Sequence, residues 1–406
     1  MNYDVVILGG GHSGGQLGIF LRKLKFEGSI LIISEEKYSP YQRPALSKGI
    51  IKDEVKIESL LLKKDDFYNK NNVELKNNIK IDSIDLSKKT LISENGRILI
   101  NYKKLILATG AKPKKINTLV PDSEIHYLRS IDDSIKLKPQ LNKNKELIII
   151  GAGYIGLEVA SVAVKKNKSV TIIESDKKVL SRVTSKDIAD FFEYKHKKEG
   201  VKFSLNNAVD DISITKEKKK VRLDNGQELF GDEVIVSIGV DPAIDIAREA
   251  GLDCENGILV DENCITSNKD IFAIGDCANH YNKIYKRRVR LESVHNAVEQ
   301  ALSVAQYLIG NPKPYHQVPW FWSDQYNIKL QMAGLNEGYE EAIIRGSGEN
   351  ESFSVFYVRS DKIIAVDCVN KPKDFVIGKK LIEQKAVIPE QLIIDEKSDL
   401  RELMKH

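Results

Sequence analysis

The sequence predicts an α/β chain in which two repeated units, each built on a parallel sheet with a β-meander inserted, precede a smaller C-terminal α/β domain. Three observations predict it. Two segments share the same order of strand, glycine-rich turn, helix and strand. Each is followed by short alternating strands and then a closing apolar strand. The chain beyond Tyr315 has no glycine-rich turn of this kind.

The first unit reads as a strand over residues 4–8, a turn, a helix over about 16–26 and a strand over 29–34. The second repeats the plan with a strand over 146–150, a turn, a helix over about 157–167 and a strand over 170–174. Their strands are continuous apolar runs such as Val5-Val6-Ile7-Leu8, as expected of a parallel sheet covered on both faces. The meanders end at Glu94-Asn95-Gly96 and Asp224-Asn225-Gly226, where Asn-Gly signals a tight hairpin. Apolar strands at 105–110 and 234–239 close the units. Asn311-Pro312-Lys313-Pro314 reads as a linker. Beyond it, alternation over 353–358 and 363–366 predicts antiparallel strands, and a helix follows at about 374–384.

Composition narrows the classes. A chain of 406 residues has material for two or three domains, and its 42% apolar and 30% charged content is that of a soluble globular protein. Its longest apolar runs are strand-length, so no membrane span is expected. The N-terminus enters its first strand without a basic-apolar-cleavage pattern, and a cytoplasmic location is the default. The net charge of +4 is too mild to imply nucleic-acid binding, and no base-reading motif accompanies it. Cys254, Cys264, Cys277 and Cys368 lack C-x-x-C or metal-ligand spacing, which argues against a disulfide scaffold and against a metal site.

The chemistry lies in the turns. Gly9-Gly10-Gly11-His12-Ser13-Gly14 and Gly151-Ala152-Gly153-Tyr154-Ile155-Gly156 both fit G-x-G-x-x-G between a strand and a helix. Glycine is needed there because backbone must turn sharply and approach a pyrophosphate held at the helix N-terminus. An acidic residue about 20 positions further on binds the adenosine ribose hydroxyls. Glu35 and Glu174 occupy that place in these Rossmann-like units. Glu174 would bond a ribose diol and repel a 2′-phosphate, which favours NADH over NADPH; the competing reading is a solvated strand end. Two fingerprints in one chain point to two dinucleotides.

The block from Thr266 to Asp276, Thr-Ser-Asn-Lys-Asp-Ile-Phe-Ala-Ile-Gly-Asp, resembles the T-x5-[FY]-A-x-G-D signature of the two-dinucleotide-binding, glutathione-reductase-like flavoproteins. Ala108-Thr109-Gly110 matches the A-T-G turn of that superfamily. Disulfide reductases of this fold need a flavin-side cysteine soon after the first unit. The stretch Ser39-Pro40-Tyr41-Gln42-Arg43-Pro44-Ala45-Leu46-Ser47-Lys48 has none. It resembles instead the P-Y-x-R-P-P-L-S-K block of ferredoxin reductases serving cytochromes P450 and ring-hydroxylating dioxygenases. Val318-Pro319-Trp320-Phe321-Trp322-Ser323-Asp324-Gln325-Tyr326 and Glu292-Ser293-Val294-His295-Asn296-Ala297 resemble further blocks of the same family. Ala45 replaces a proline and His295 stands where glutamine is usual. The resemblance spans essentially the full length.

That resemblance implies FAD and NADH as cofactors and a small [2Fe-2S] ferredoxin as electron acceptor. It implies an FAD domain over 1–111 and 243–314, an NAD domain over 112–242 and a C-terminal domain over 315–406. It puts Lys48 beside the flavin N5 edge, paired with Glu158, as the catalytic pair. Ser13, Glu35, Ile81 (by its backbone), Arg129, Asp276 and Val294 would hold FAD, and aromatics from Trp320 onward would cover one flavin face. The cofactor-binding set also takes in Gly9, Gly11, Gly14, Arg43, Thr109, Gly110, Gly151, Gly153, Ile155, Gly156, Glu174 and Gly239. An ammonium fixed beside a flavin that gains negative charge on reduction lowers the cost of holding that charge.

Competing readings are a solvated Lys48 and tryptophans that simply pack a domain core. His12 and His295 neighbour the cofactor by position only, since hydride transfer to flavin needs no protein acid. The run Lys216-Glu217-Lys218-Lys219-Lys220 reads as a solvated hairpin edge. Lys286-Arg287-Arg288-Val289-Arg290 could help dock an acidic ferredoxin, mainly by raising the association rate. A monomer is expected. Two alternatives share the fold: a rubredoxin or monodehydroascorbate reductase, and a redox-sensing flavoprotein of the apoptosis-inducing-factor type.

Overall fold

A computed structural model describes residues 1–93, 96–118, 120–143 and 145–401. The chain divides into two compact units, one of Met1–Arg43, Lys56–Lys112 and Asp241–Pro319, the other of Pro44–Val55, Pro113–Val240 and Trp320 onward. Among the described residues no helix is long and apolar enough to cross a membrane.

The first unit is built on a seven-stranded sheet. Val73–Lys76, Ile30–Ile33, Asn2–Leu8 and Ile98–Leu107 run parallel, and Ile271–Ala273 pairs in parallel with the end of Ile98–Leu107. The meander is a continuation of the same sheet, with Thr90–Ser93 and Ile81–Asp85 added antiparallel. Its Glu94-Asn95 turn lies outside the described residues. Val5, Val6, Ile7, Ile30, Leu31, Ile32 and Ile33 are all buried, so both faces of the sheet are covered, as the apolar runs predict.

The second unit holds three sheets. Lys202–Leu205, Ser169–Glu174, Glu146–Ile150, Glu233–Val236 and His126–Tyr127 form a parallel sheet in that order. Val209–Ile214, Lys219–Leu223 and Glu228–Gly231 form the antiparallel meander, turning at Asp224-Asn225-Gly226 where Gly226 has φ +83°. The C-terminal part is a five-stranded antiparallel sheet ordered Trp320–Gln325, Ile328–Gly334, Lys362–Val369, Ser352–Arg359 and Glu341–Ser347, with the helix Pro372–Gln384 packed on it.

Both fingerprint helices begin and end earlier than the sequence predicts. They span His12–Lys23 and Tyr154–Lys165, against expectations of about 16–26 and 157–167. Propensity places Ser13-Gly14-Gly15 in a loop, yet Gly14 is helical and packed so closely that a Cβ on it would lie 2.0 Å from the Gly9 carbonyl oxygen. The C-termini match one another. Lys25 (φ +61°) and Asn167 (φ +58°) turn left-handed, and the next amides, of Phe26 and Lys168, donate back to Leu21 and Ala163. Two copies of one cap support the internal repeat.

Two buried groups in the C-terminal sheet have measurable consequences. Arg345 is 6% exposed, and its guanidinium donates to the carbonyls of Ile393, Asp395, Glu396 and Ser398 at 2.5–3.1 Å, with Asp374 3.5 Å away. It fastens the segment around the helix Glu390–Ile394 to the sheet. Arg345→Met is expected to cost about 3–5 kcal/mol and to open that segment to protease, because four carbonyls lose their donor and the buried Asp374 carboxylate its counter-ion. Parent-like urea stability and digestion would contradict this.

Asp367 accepts from the Tyr357 hydroxyl at 2.6 Å, and that hydroxyl accepts from the Ser185 amide at 3.0 Å. Burial pushes the Asp367 carboxyl up from 3.8 to about 7. The folded state therefore binds its proton more tightly than the unfolded state. Stability from this group is present below about pH 4 and is lost as pH rises towards 7, a fall on the order of 4 kcal/mol. Asp367→Asn should remove that slope from urea titrations. An unaltered slope would count against it.

Candidate functional site

The first cradle forms at the start of the helix His12–Lys23. Gly9 has φ +121°, and a Cβ there would lie 2.1 Å from the Ala108 carbonyl oxygen. A Cβ on Gly14 would lie 2.0 Å from the Gly9 oxygen. Neither position admits another residue. Gly11 differs: only Arg43 Nη2, at 3.8 Å, is near a Cβ built there. No side chain caps this helix, so its first amides and its positive dipole end face open space. The half-buried His12 beside them has a buried Nδ1 without a partner, and burial lowers its pKa to about 4. Open room, uncapped amides and an orphaned nitrogen fit the pyrophosphate of a dinucleotide.

Other candidates of the first unit gather around this turn. Gly275 has φ +78°, and a Cβ on it would lie 2.7 Å from Ser13 Oγ, so the turn Gly275–Cys277 brings Asp276 to the fingerprint helix. Arg43 donates to Glu36 at 2.5 Å and to the Tyr41 hydroxyl at 3.0 Å, while that hydroxyl donates to Glu36 at 2.5 Å. Thr109 Oγ1 donates to the Ala243 carbonyl at 2.6 Å, and Gly110 accepts from the Ala243 amide. Ile81 opens its strand with backbone paired to Ser93. Val294 opens the helix Val294–Leu308, capped by Ser293. Glu35 is exposed at the end of Ile30–Ile33. Arg129 belongs to the second unit, where its amide donates to Asp133 at 3.0 Å.

The second cradle repeats the first. Gly151 has φ +103° with the Ser237 oxygen 2.3 Å from a built Cβ, and a Cβ on Gly156 would lie 2.2 Å from the Gly151 oxygen. Nothing lies within 4 Å of a Cβ on Gly153 or Gly239, and the helix Tyr154–Lys165 also lacks a side-chain cap. Ile155 is 39% exposed at its first turn. Glu174 ends its strand with Oε2 accepting from the Ala152 amide at 2.7 Å and Oε1 from the Asp176 amide at 3.0 Å. Its carboxylate is thereby held at the lip of the turn.

A third cluster lies in the second unit. Lys48 Nζ is 2.7 Å from Glu158 Oε1, and the carboxylate is nearly inaccessible. Ser47 Oγ donates to Glu158 Oε2 at 2.5 Å and Ser323 Oγ to Oε1 at 2.6 Å. A buried carboxylate is tolerated only when paired and hydrogen-bonded in this way. The segment carrying Lys48 is anchored by Asp53, which pairs with Lys138 and Lys166, and by the Leu46 carbonyl, which accepts from Ser134 at 3.3 Å. Trp320 and Trp322 are half-buried, with centroids 5.5 Å apart, and Trp320 meets Phe375 at 5.7 Å. They are not core residues; the same strand buries Ser323 and Gln325 instead.

Thiol chemistry has no foothold among the described residues. Cys264, Cys277 and Cys368 are buried free thiols, and burial raises the pKa of each, as it does for half-buried Cys254. No described group of His, Cys, Asp and Glu could hold a metal ion. Within the basic run, Arg288 donates to the Val260 and Asn279 carbonyls, and Arg290 pairs with Glu292 and donates to the Asp276 carbonyl.

Two dinucleotide cradles on repeated parallel sheets define a two-dinucleotide oxidoreductase. Residues 3–301 match the pyridine nucleotide-disulphide oxidoreductase model and residues 320–404 the reductase C-terminal model. The chain is 37% identical over 410 aligned positions to putidaredoxin reductase of Pseudomonas putida, covering 99% of this chain and 97% of that one. It is 39% identical to a ferredoxin–NAD(P)(+) reductase of a Sphingomonas species, covering 95% and 94%. The fold superposes on putidaredoxin reductase in its covalent complex with putidaredoxin with a TM-score of 0.96 at 36% identity, over 99% and 98% of the two chains. The chain belongs to the pyridine nucleotide-disulphide oxidoreductase family, an FAD-dependent family, with the reductase C-terminal domain appended.

Sequence reasoning missed four members of the third cluster: Ser47, Ser323, Gln325, which donates to Ser323 at 3.2 Å, and His196, whose Nε2 lies 2.8 Å from the Gln325 amide oxygen. Ser323 and Gln325 had a signal, since two polar residues at alternate positions of an aromatic strand share one face. His196 had none, being one of several polar residues on a lysine-rich helix. Glu36, the ion-pair partner of Arg43, was also missed.

Proposed function

We propose that the protein is an NADH:ferredoxin oxidoreductase that carries electrons from NADH through FAD to a small [2Fe-2S] ferredoxin serving a cytochrome P450 or a ring-hydroxylating dioxygenase. The observation that carries this reading is the Lys48–Glu158 pair, at 2.7 Å, with Lys48 in the cysteine-free segment where disulfide reductases need a thiol. Bound FAD would supply a carrier that takes electrons from NADH as a pair and passes them on singly.

The residues of the chain do the rest. The first cradle would hold the FAD pyrophosphate over Gly11, with Ser13, Arg43, Asp276 and Val294 around it. Glu35 would accept from the adenosine ribose, and Ile81, Thr109, Gly110 and Arg129 would be further FAD ligands. The second cradle would hold NADH over Gly153, beside Ile155 and Gly239. Glu174 would accept from the ribose diol, where a 2′-phosphate would meet a carboxylate already fixed at the turn. This supports NADH over NADPH. Lys48, oriented by Glu158, would offset the negative charge that accompanies reduction, and Trp320 would shield one flavin face.

We read residues 112–242 and 315–406 as separate domains, each with its own sheet, and the chain as a cytoplasmic monomer. Positive charge from the run at 286–290 would steer an acidic ferredoxin, with Arg290 contributing least because Glu292 pairs with it. Steady-state cytochrome c reduction tests the acceptor. Turnover with NADH and an added [2Fe-2S] ferredoxin should far exceed that with rubredoxin or with NADPH. Faster turnover through rubredoxin would reassign the acceptor.

A further inference from the structure

A directed chain of hydrogen bonds reaches the Glu158 carboxylate from a strained hairpin, entirely within the second unit. Its sense follows from the acceptor end. Glu158 Oε1 accepts from Ser323 Oγ at 2.6 Å, so Ser323 has its lone pairs free to accept from Gln325 Nε2 at 3.2 Å. The amide oxygen of Gln325 then faces His196, and Nε2 of His196 donates to it at 2.8 Å. That leaves His196 Nδ1 as an acceptor, and the Tyr326 hydroxyl donates to it at 2.9 Å. Every link donates towards Glu158.

The middle of the chain is sealed from water. Ser323 and His196 are 0% exposed and Gln325 is 1% exposed. Burial holds His196 neutral, its pKa lowered to about 4, as an imidazole with one donor and one acceptor requires. Its surroundings include Lys195 on its own helix and Glu199 at that helix's C-cap, Glu351 paired with Lys195, and Lys165, whose ammonium reaches the Tyr326 carbonyl. Tyr326 sits at φ +57°, a region costly for an aromatic residue unless its surroundings hold it there. The His196 ring, 4.9 Å away, and the Lys195 ammonium, 5.7 Å from the tyrosine centroid, do so.

We propose that Ser323, Gln325 and His196 are positioning residues: they fix the Glu158 carboxylate, and through it the Lys48 ammonium, for the reductive step. This rests on the function proposed above. The amide of Gln325 makes the chain an orienting device rather than a proton path, because passing a proton through it would need an imidic acid.

The test compares FAD-loaded parent, Ser323→Ala, Gln325→Leu and Ser323→Thr in anaerobic reduction by NADH, with the flavin midpoint potential and NADH saturation measured on each. Ser323→Ala and Gln325→Leu should slow the limiting rate about five- to tenfold, the equivalent of one hydrogen bond, with little change in half-saturation. Their potentials should become more negative, and Ser323→Thr should restore the parent's values. In apoprotein, the 15N spectrum should show His196 as the Nε2–H tautomer at neutral pH, and Gln325→Leu should disturb it. Folded variants with parent rate and potential, or a His196 carrying its proton on Nδ1, would overturn the proposal. Lys48→Met, run alongside, separates the failures. If it slows reduction while Ser323→Ala does not, only the positioning role fails; if it too reduces at the parent rate, the reading of the pair fails and the positioning role with it.

Discussion

Gly14→Ala is expected to yield a protein that purifies without flavin. The added methyl carbon would lie 2.0 Å from the Gly9 oxygen and 3.1 Å from an Ile7 methyl, and backbone cannot yield as a flexible side chain would. The helix start must lift from its strand, and the amides that would face the pyrophosphate lose their aim. Gly156→Ala imposes the same collision in the second cradle, 2.2 Å from the Gly151 oxygen. The expected phenotype differs. That variant should be yellow, yet NADH should fail to bleach it at concentrations that saturate the parent. Absorption spectra before and after anaerobic NADH addition read both results. A yellow Gly14→Ala protein, or a Gly156→Ala protein that bleaches normally, would mean that the cradles do not hold the cofactors assigned to them.

Lys48→Met is expected to keep flavin and slow its reduction by about 100-fold, the scale of losing one fixed electrostatic partner in a water-poor site. Methionine keeps an unbranched side chain, one heavy atom shorter, and removes the charge together with its N–H donors. Glu158 would then retain Ser47 and Ser323 as donors, at 2.5 and 2.6 Å, so the fold has reason to survive. Single-turnover mixing with NADH measures the rate directly. Reduction at the parent rate would return Lys48 to the status of a paired structural lysine.

Much of this was legible in the sequence because it depends on local chemistry. The apolar runs at 4–8 and 146–150 needed no partner to be recognised as buried parallel strands, and Asn225-Gly226 announced its hairpin. The glycines of both fingerprints were readable because only glycine fits a backbone that touches another backbone. The helix starts were not readable. Ser13 and Gly14 have poor propensity, and the packing of Gly14 on the Gly9 carbonyl is a tertiary fact. The same limit hid the chain from Tyr326 to Glu158. His196 and Gln325 lie 129 positions apart, and nothing in a lysine-rich helix marks which polar side chain turns inward. Glu36 was hidden for a related reason: the ion pair with Arg43 arises where the chain folds back on itself, not from the spacing that singled out Glu35.

The central claim is that this chain moves electrons from NADH through its flavin to a ferredoxin. Anaerobic stopped-flow of the yellow protein tests it most directly, first with NADH and then by mixing the reduced protein with a panel of carrier proteins. Rapid bleaching followed by fast reoxidation with a [2Fe-2S] ferredoxin, and slow reoxidation with rubredoxin, is the result expected. Rapid bleaching with every carrier slow, and a change of oligomeric state on reduction, would contradict it in favour of a redox sensor.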